Sequence, residues 1–331
     1  MTRVFLFGAA GLILGFTLAS AACSGAGADS SSGRAPDASA DTAPLDSDIG
    51  APHDGGAPDD GSVPDAGDAR DADGSAPQRG CPSGVIGCYT VYAHTDHVLF
   101  YFDLVGTKLV EVGAFDAPQV PTGGSGTAED TLTDLAVTPD DRVWLISNVN
   151  LYTADVMTGH VTLVGPTTKC GIGNFALASD LTGNLYVGDS KGAICRVSPT
   201  NPATMTPLGI MGGGLALAGD FVLVSDGTAY ATAYDLTMPL TANDNALVTF
   251  APATPNTVQS IGPTGHPALF GVAYAAGKVL AFSHDGTGNI ITIDRMSGSG
   301  TLLTSAMDPT TNAPAVFAGA GTNPLVPKTG P

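Results

Sequence analysis

The chain has 331 residues and a formal net charge of −19, from 12 Lys plus Arg against 31 Asp plus Glu. Charged residues are only 13% of the whole and hydrophobic ones 43%, so there is material for a sizeable core. The few cations are scattered. No basic stripe is available for nucleic acid, and no basic amphipathic helix for an anionic membrane surface.

The chain begins with one cation, Arg3, followed by an uncharged apolar run from Val4 to Leu18 and the small-residue stretch "ASAAC" ending at Cys23. A basic tip, a short apolar core and a small-residue cleavage region predict a secretory signal peptide over residues 1–22. "ASAAC" resembles the lipobox of bacterial lipoproteins, with Ala21 and Ala22 at the small positions and Ser20 where Leu is usual. The resemblance implies that Cys23 is the lipid-attachment residue, heads the mature chain and anchors it to a membrane. Ser24 in the next position implies sorting to the outer membrane of a Gram-negative cell. The alternative is ordinary cleavage after Ala21 or Ala22, which gives a soluble secreted protein.

Residues 23–80 form the next unit, a lipidated Cys plus a disordered linker. Of the 57 residues in 24–80, 48 are Asp, Ala, Gly, Ser or Pro, and the large aliphatics are Leu45, Ile49 and Val63. Such a segment cannot bury enough apolar surface to offset its ordering entropy. Twelve Asp against three Arg give it a net charge of −9. A flexible coil of this length spans about 40 Å root-mean-square. The Asp68–Gly74 stretch looks like the start of a calcium loop, but the twelfth position is Arg79 rather than Glu.

Residues 81–331 are expected to be the folded domain. They hold Cys81, Cys88, Cys170 and Cys195, an even number that points to two disulfides in an exported protein. Three connectivities are possible; Cys81–Cys88, which would clip the entry to the domain, and Cys170–Cys195, which would tie a loop to a nearby strand, are favoured. No CxxC occurs to suggest a zinc site.

From Leu132 onward, short apolar runs recur in a fixed order, separated by Gly, Asp, Asn and Pro. A small-residue run (LAV, FAL, LAL, FGV) precedes an apolar run (RVWLIS, NLYVGD, FVLVSD, KVLAFS). A third run follows (LYTAD, AICRVS, AYATAY, IITID), and then a fourth. Four strands per 40–55 residues predict an all-β fold, a β-propeller of four-stranded antiparallel blades. Residues 88–115 read as a blade lacking its inner strand, and 314–324 as an inner strand lacking its blade. Closing the ring with N- and C-terminal strands gives five blades, with residues 226–266 long enough to leave room for a sixth. A β-sandwich would not explain the repeat.

"LYTADVMTGHVTLVG" and "IITIDRMSGSGTLL" resemble the D-x-x-(T/S)-G hairpin of bacterial quinoprotein-like and YVTN-like repeat propellers, which are extracytoplasmic. In such a fold the loops joining the second and third strands gather on one face. Read this way, that face offers His94, Asp96, His97, Asn148, Asp189, Asp226, His284 and Asp285 as candidate ligand-binding residues. No HExxH, no Walker loop and no G-x-S-x-G elbow is read in the chain, so no catalytic residue, no metal site and no cofactor is expected. Quinoprotein enzymes repeat a Trp in each blade; here Trp144 is alone. Gluconolactonase-type enzymes place an acidic residue at the head of an inner strand, where this chain has Asp134 and Asn174. The leading expectation is a membrane-tethered binding module of the cell envelope, with a protein or glycan ligand on one face and no nucleic acid. The alternatives are a divalent-metal-dependent hydrolase or lactonase, with His94, His97 and His284 as ligands, and a purely structural envelope component.

Overall fold

The computed structural model describes residues 78–81, 88–116, 119–121, 127–238 and 245–328. The signal segment, Cys23 and residues 24–77 lie outside the described residues.

Five four-stranded antiparallel sheets form the blades of a β-propeller. Blade 1 supplies β1 (Val91–His94), β2 (Val98–Asp103) and β3 (Lys108–Ala114). A small hairpin, β4 (Gln119–Pro121) and β5 (Thr127–Glu129), leads to blade 2: β6 (Leu132–Val137), β7 (Val143–Ser147), β8 (Asn150–Ala154) and β9 (Val161–Pro166). Blade 3 is β10 (Ala176–Ser179), β11 (Leu185–Gly188), β12 (Ala193–Ser198) and β13 (Asn201–Ile210). Blade 4 is β14 (Leu215–Leu223), β15 (Ala229–Asp235), β16 (Ala246–Phe250) and β17 (Gln259–Pro263). Blade 5 is β18 (Leu269–Ala275), β19 (Lys278–Ser283), β20 (Asn289–Ile293) and β21 (Gly300–Ser305). A short hairpin, β22 (Met307–Asp308) and β23 (Ala313–Pro314), precedes β24 (Gly319–Thr322). β24 pairs with β1, Val91 opposite Thr322 and His94 opposite Gly319, and so supplies the missing inner strand of blade 1. The ring closes as expected, and no inner sheet edge is left open. Residues 226–266 hold strands of blade 4, and among the described residues there is no sixth blade.

The middle strands are apolar on both faces because each blade is packed on two sides. Side chains alternate across a strand. In β7, Val143 and Leu145 enter the core between blades 1 and 2, while Trp144 and Ile146 enter the core between blades 2 and 3. In β19, Val279 and Ala281 face blade 4, while Leu280 and Phe282 face blade 1. The inner strands are rich in Ala and Gly because they crowd the axis. A Cβ on Gly219 of β14 would overlap the backbone of Phe270 in β18, and one on Gly271 would lie 2.9 Å from the Ala320 Cβ of β24.

One feature recurs in all five blades. The fourth strand bulges against the third by one residue: Val112, Val164, Leu208, Ile261 and Leu303 are each skipped in the register. Four of these five are followed by Gly. A Cβ on Gly113 would overlap the Thr158 carbonyl, and one on Gly262 the Ser297 carbonyl. The outer strand of one blade thus receives the turn between strands three and four of the next. Bulges of this kind bend a strand and strengthen its twist.

The D-x-x-(T/S)-G stretches are those turns. Asp155 Oδ1 accepts from the backbone N–H of Met157 (2.8 Å) and Thr158 (2.9 Å), and Asp294 Oδ1 does the same for Met296 (3.0 Å) and Ser297 (2.7 Å). Gly159 and Gly298 close them at φ of 77° and 78°, a region that favours glycine.

One strand assignment changes. In blade 4 "LALAGDFVL" is a single strand, β14, rather than two strands around a Gly-Asp turn; the register shifts between Leu217 and Phe221 but the chain runs on. The turn comes later, at Ser225–Thr228, and "AYATAY" is therefore the second strand, not the third. Gly219 and Asp220 look like turn residues. They occupy a strand because Gly219 makes room for the neighbouring backbone and Asp220 finds partners inside the ring. Both favoured disulfides, Cys81–Cys88 and Cys170–Cys195, are formed.

Candidate functional site

The loops joining strands two and three, and those linking one blade to the next, share one face of the ring, here called upper. The turns joining strands one and two open on the other, the lower face.

On the upper face, most of the polar side chains read from the sequence are used by the fold itself. Asp189 is 1% exposed and its carboxylate accepts from the N–H groups of Ile172 (2.9 Å), Lys191 (2.9 Å) and Ala193 (2.7 Å). Asp285 Oδ1 accepts from Thr287 N (3.0 Å) and Oγ1 (2.5 Å). Asn148 Oδ1 accepts from Asn174 N (3.2 Å). Asn174 itself is buried, with Oδ1 accepting from Cys170 N (3.0 Å) and Nδ2 donating to Thr167 Oγ1 (3.0 Å) and the Thr168 carbonyl (3.1 Å). It orders the link between blades 2 and 3, a structural task. Asp130, which no motif marks, accepts at Oδ2 from Ser147 Oγ (2.6 Å), Asn150 Nδ2 (2.9 Å) and Tyr152 Oη (2.6 Å).

The histidines do not converge. His94 ends β1 and is fully buried; Nδ1 donates to the Thr95 carbonyl (2.9 Å), and burial lowers its pKa to about 4, so the ring is neutral. Asp96 and His97 are exposed on the turn beyond it. His284 donates from Nδ1 to the Phe317 carbonyl (2.7 Å) and lies flat on Phe270, with ring centroids 4.2 Å apart; Phe270 in turn meets Phe175 edge-on at 5.5 Å. Among the described residues no three His, Cys, Asp or Glu side chains come together in a group that could hold a metal ion. Contrary to the expectation that no G-x-S-x-G stretch occurs, Gly188–Gly192, "GDSKG", carries its letters, but it joins strand β11 to strand β12 and no helix follows. Ser190 therefore lacks the strand-to-helix turn that a nucleophile elbow needs.

Asp226 is not with this group. It sits in the β14–β15 turn on the lower face, because β14 is one strand rather than two. There it accepts from Thr228 N (2.9 Å) and pairs with Lys328 Nζ (2.9 Å) of the C-terminal segment.

Three concavities open on the lower face, each sharing lining residues with the next. The first, about 270 Å³, lies between Thr138–Asp140, Trp144 and Leu181–Gly183. The second, about 240 Å³, lies between Asp180–Thr182 and Leu223–Gly227. The third, about 480 Å³, lies beyond Asp226, against Tyr230, Thr249, Gln259, Ile261 and Lys328. Leu181, 42% exposed, stands between the first two, and Asp226 lines the last two. Asp140, Asp180 and Asp226 mark successive turns along this arc.

Inside the ring two aspartates meet. Asp134 of β6 and Asp220 of β14 are 0% and 1% exposed, and their carboxyl groups lie within interaction range of each other. Asp134 was legible as an acid in an inner strand; Asp220 was hidden by the Gly-Asp pair that reads as a turn.

No protein-family model matches the chain, and no curated protein matches it in sequence. Among solved structures it is similar to a chain of a nidogen/laminin complex, at 12% identity and a TM-score of 0.42, over 70% of this chain and 97% of that one. It is also similar to virginiamycin B lyase from Staphylococcus aureus (13%, TM-score 0.37, 69% and 70% covered) and to a gluconolactonase from Xanthomonas campestris (14%, TM-score 0.37, 56% and 69% covered). These are β-propeller proteins, and the likeness is one of architecture.

Proposed function

We propose that this chain is an envelope binding module: a five-bladed propeller exported through the signal segment 1–22, anchored by lipid on Cys23 and held off the membrane by residues 24–80. Its contact surface is the lower face rather than the upper one. The observation that carries this reading is the continuous arc of concavities from Trp144 past Leu181 and Asp226 to Ile261. Most polar groups of the upper loops are already spent within the fold, Asp96 and His97 being the exposed exceptions. The arc is lipped by Asp140, Asp180 and Asp226; each is bonded within its own turn or to Arg142 or Lys328, but their combined charge suits a protein segment or glycan presenting cationic or hydroxyl groups. The two disulfides support folding in an oxidising compartment.

A photo-crosslinking residue at Leu181 of the full chain, expressed in its own envelope, should capture a discrete partner, while the same residue at Asp96 should not. Capture from Asp96 alone would return the contact surface to the upper face. Cys23→Ser should move the protein from the membrane to the soluble fraction; a variant that stays with the membrane refutes the lipid anchor without touching the assignment of the lower face.

A further inference from the structure

Asp134 and Asp220 lie on non-neighbouring blades, yet between them they touch every inner strand. Asp134 Oδ1 accepts from its own neighbour Leu135 N (2.8 Å), and Oδ2 accepts from Leu177 N of β10 (2.6 Å). It also accepts from Ala320 N of β24. Asp220 accepts from Phe221 N at Oδ1 and from Val272 N of β18 at Oδ2 (3.2 Å). With the contact between the two carboxyls, one connected set joins β24, β6, β10, β14 and β18. The strands are shaped to admit it. A Cβ on Gly319 would overlap Asp134 Oδ1 and lie 2.8 Å from His94 Nε2.

Two carboxylates cannot hydrogen-bond to each other unless one carries a proton. Among the described residues no Lys or Arg side chain bonds to either carboxyl. His94 borders the same space beside Gly319; it is buried and neutral, and its Nε2 has no hydrogen-bond partner. Tyr92 of β1 packs between blades 1 and 2, and Tyr274 of β18 stacks on Tyr230 between blades 4 and 5, so neither faces the pair. Asp134 receives three backbone N–H groups and Asp220 two, which favours charge on Asp134 and the proton on Asp220.

We infer that one proton, held on Asp220 and donated to Asp134, locks the five inner strands together at the axis, so that the ring tightens in acid and loosens as the medium turns alkaline. Burial raises the affinity of both carboxyls for protons well above the ordinary range, and the Asp134 charge raises that of Asp220 further. The folded chain then holds a proton that the unfolded chain has lost above about pH 4. Stability from this pair is complete at low pH and falls as pH rises through the folded-state value.

The test is urea unfolding of the full chain, wild type against Asp220→Asn, across about pH 5 to 9. The amide donates to Asp134 without needing a titratable proton. The wild-type unfolding constant should rise relative to the variant by up to about tenfold per pH unit. Identical slopes overturn the inference. Should Asp220→Asn fail to fold, infrared spectra of wild type at neutral pH decide. The carboxyl stretch of a protonated acid is expected, because exposed carboxyls are ionised there; its absence overturns the shared proton.

Discussion

Aspartate does opposite things at the centre and at the rim of this molecule. Asp134 and Asp220 are sealed inside the ring, where desolvation dominates and favours the protonated acid. Asp155 and Asp294 sit in exposed turns. For Asp155 the N–H of Met157 leads the causes, and for Asp294 the hydroxyl and N–H of Ser297; both carboxyls are held below the ordinary carboxylate range. Both regions satisfy backbone donors with a carboxylate. The difference is water. Where solvent shares the charge, a few N–H donors suffice to stabilise it; where solvent is excluded, they do not, and a proton makes up the deficit.

Substitution at the centre should therefore cost far more than at the rim. Asp134→Ala removes the acceptor for three buried N–H groups, those of Leu135, Leu177 and Ala320, and strips Asp220 of its partner. We expect a loss of about 3–5 kcal/mol by urea unfolding, since each abandoned buried donor is worth roughly 1–3 kcal/mol. A loss below about 1 kcal/mol would erase the contrast. At the rim, Asp155→Ala removes bonds that water can replace, and about 1 kcal/mol or less is expected. Its pH signature has the opposite sense to that of the centre. A carboxyl depressed on folding contributes stability above the unfolded value of about 3.8 and loses it as pH falls through the lower folded value. Asp155→Ala should therefore flatten the acid limb of the stability curve and leave the alkaline limb unchanged. A change in the alkaline limb would mean that rim and centre are not independent.

The recurring outer bulge shows how much of this was legible in the chain. Val112-Gly113, Val164-Gly165, Leu208-Gly209 and Ile261-Gly262 form a repeated aliphatic-Gly pair at the end of four units. It marks the fourth strand more sharply than apolar content does, because those strands are half-exposed and amphipathic. The inner strands were recognisable by their small residues, and the D-x-x-(T/S)-G turns by their Asp and Gly. The blade 4 boundary was not legible. Locally, Gly219-Asp220 has the chemistry of a turn, and only the approach of Phe270 on one side and of Asp134 on the other makes it a strand.

By itself the sequence determined the period, the number of strands in a blade and closure by the last strand, because each of these depends on spacing and local composition; it left three cysteine pairings open, and the folded chain chose Cys81–Cys88 and Cys170–Cys195. Which face carries Asp226, which polar loop residues are consumed by their own backbones, and that Asp134 meets Asp220 were decided by the tertiary structure alone. Those outcomes depend on distances between blades some 43 to 86 residues apart in the chain. Desolvation, which sets the protonation of the central pair, exists only once the ring has closed around it.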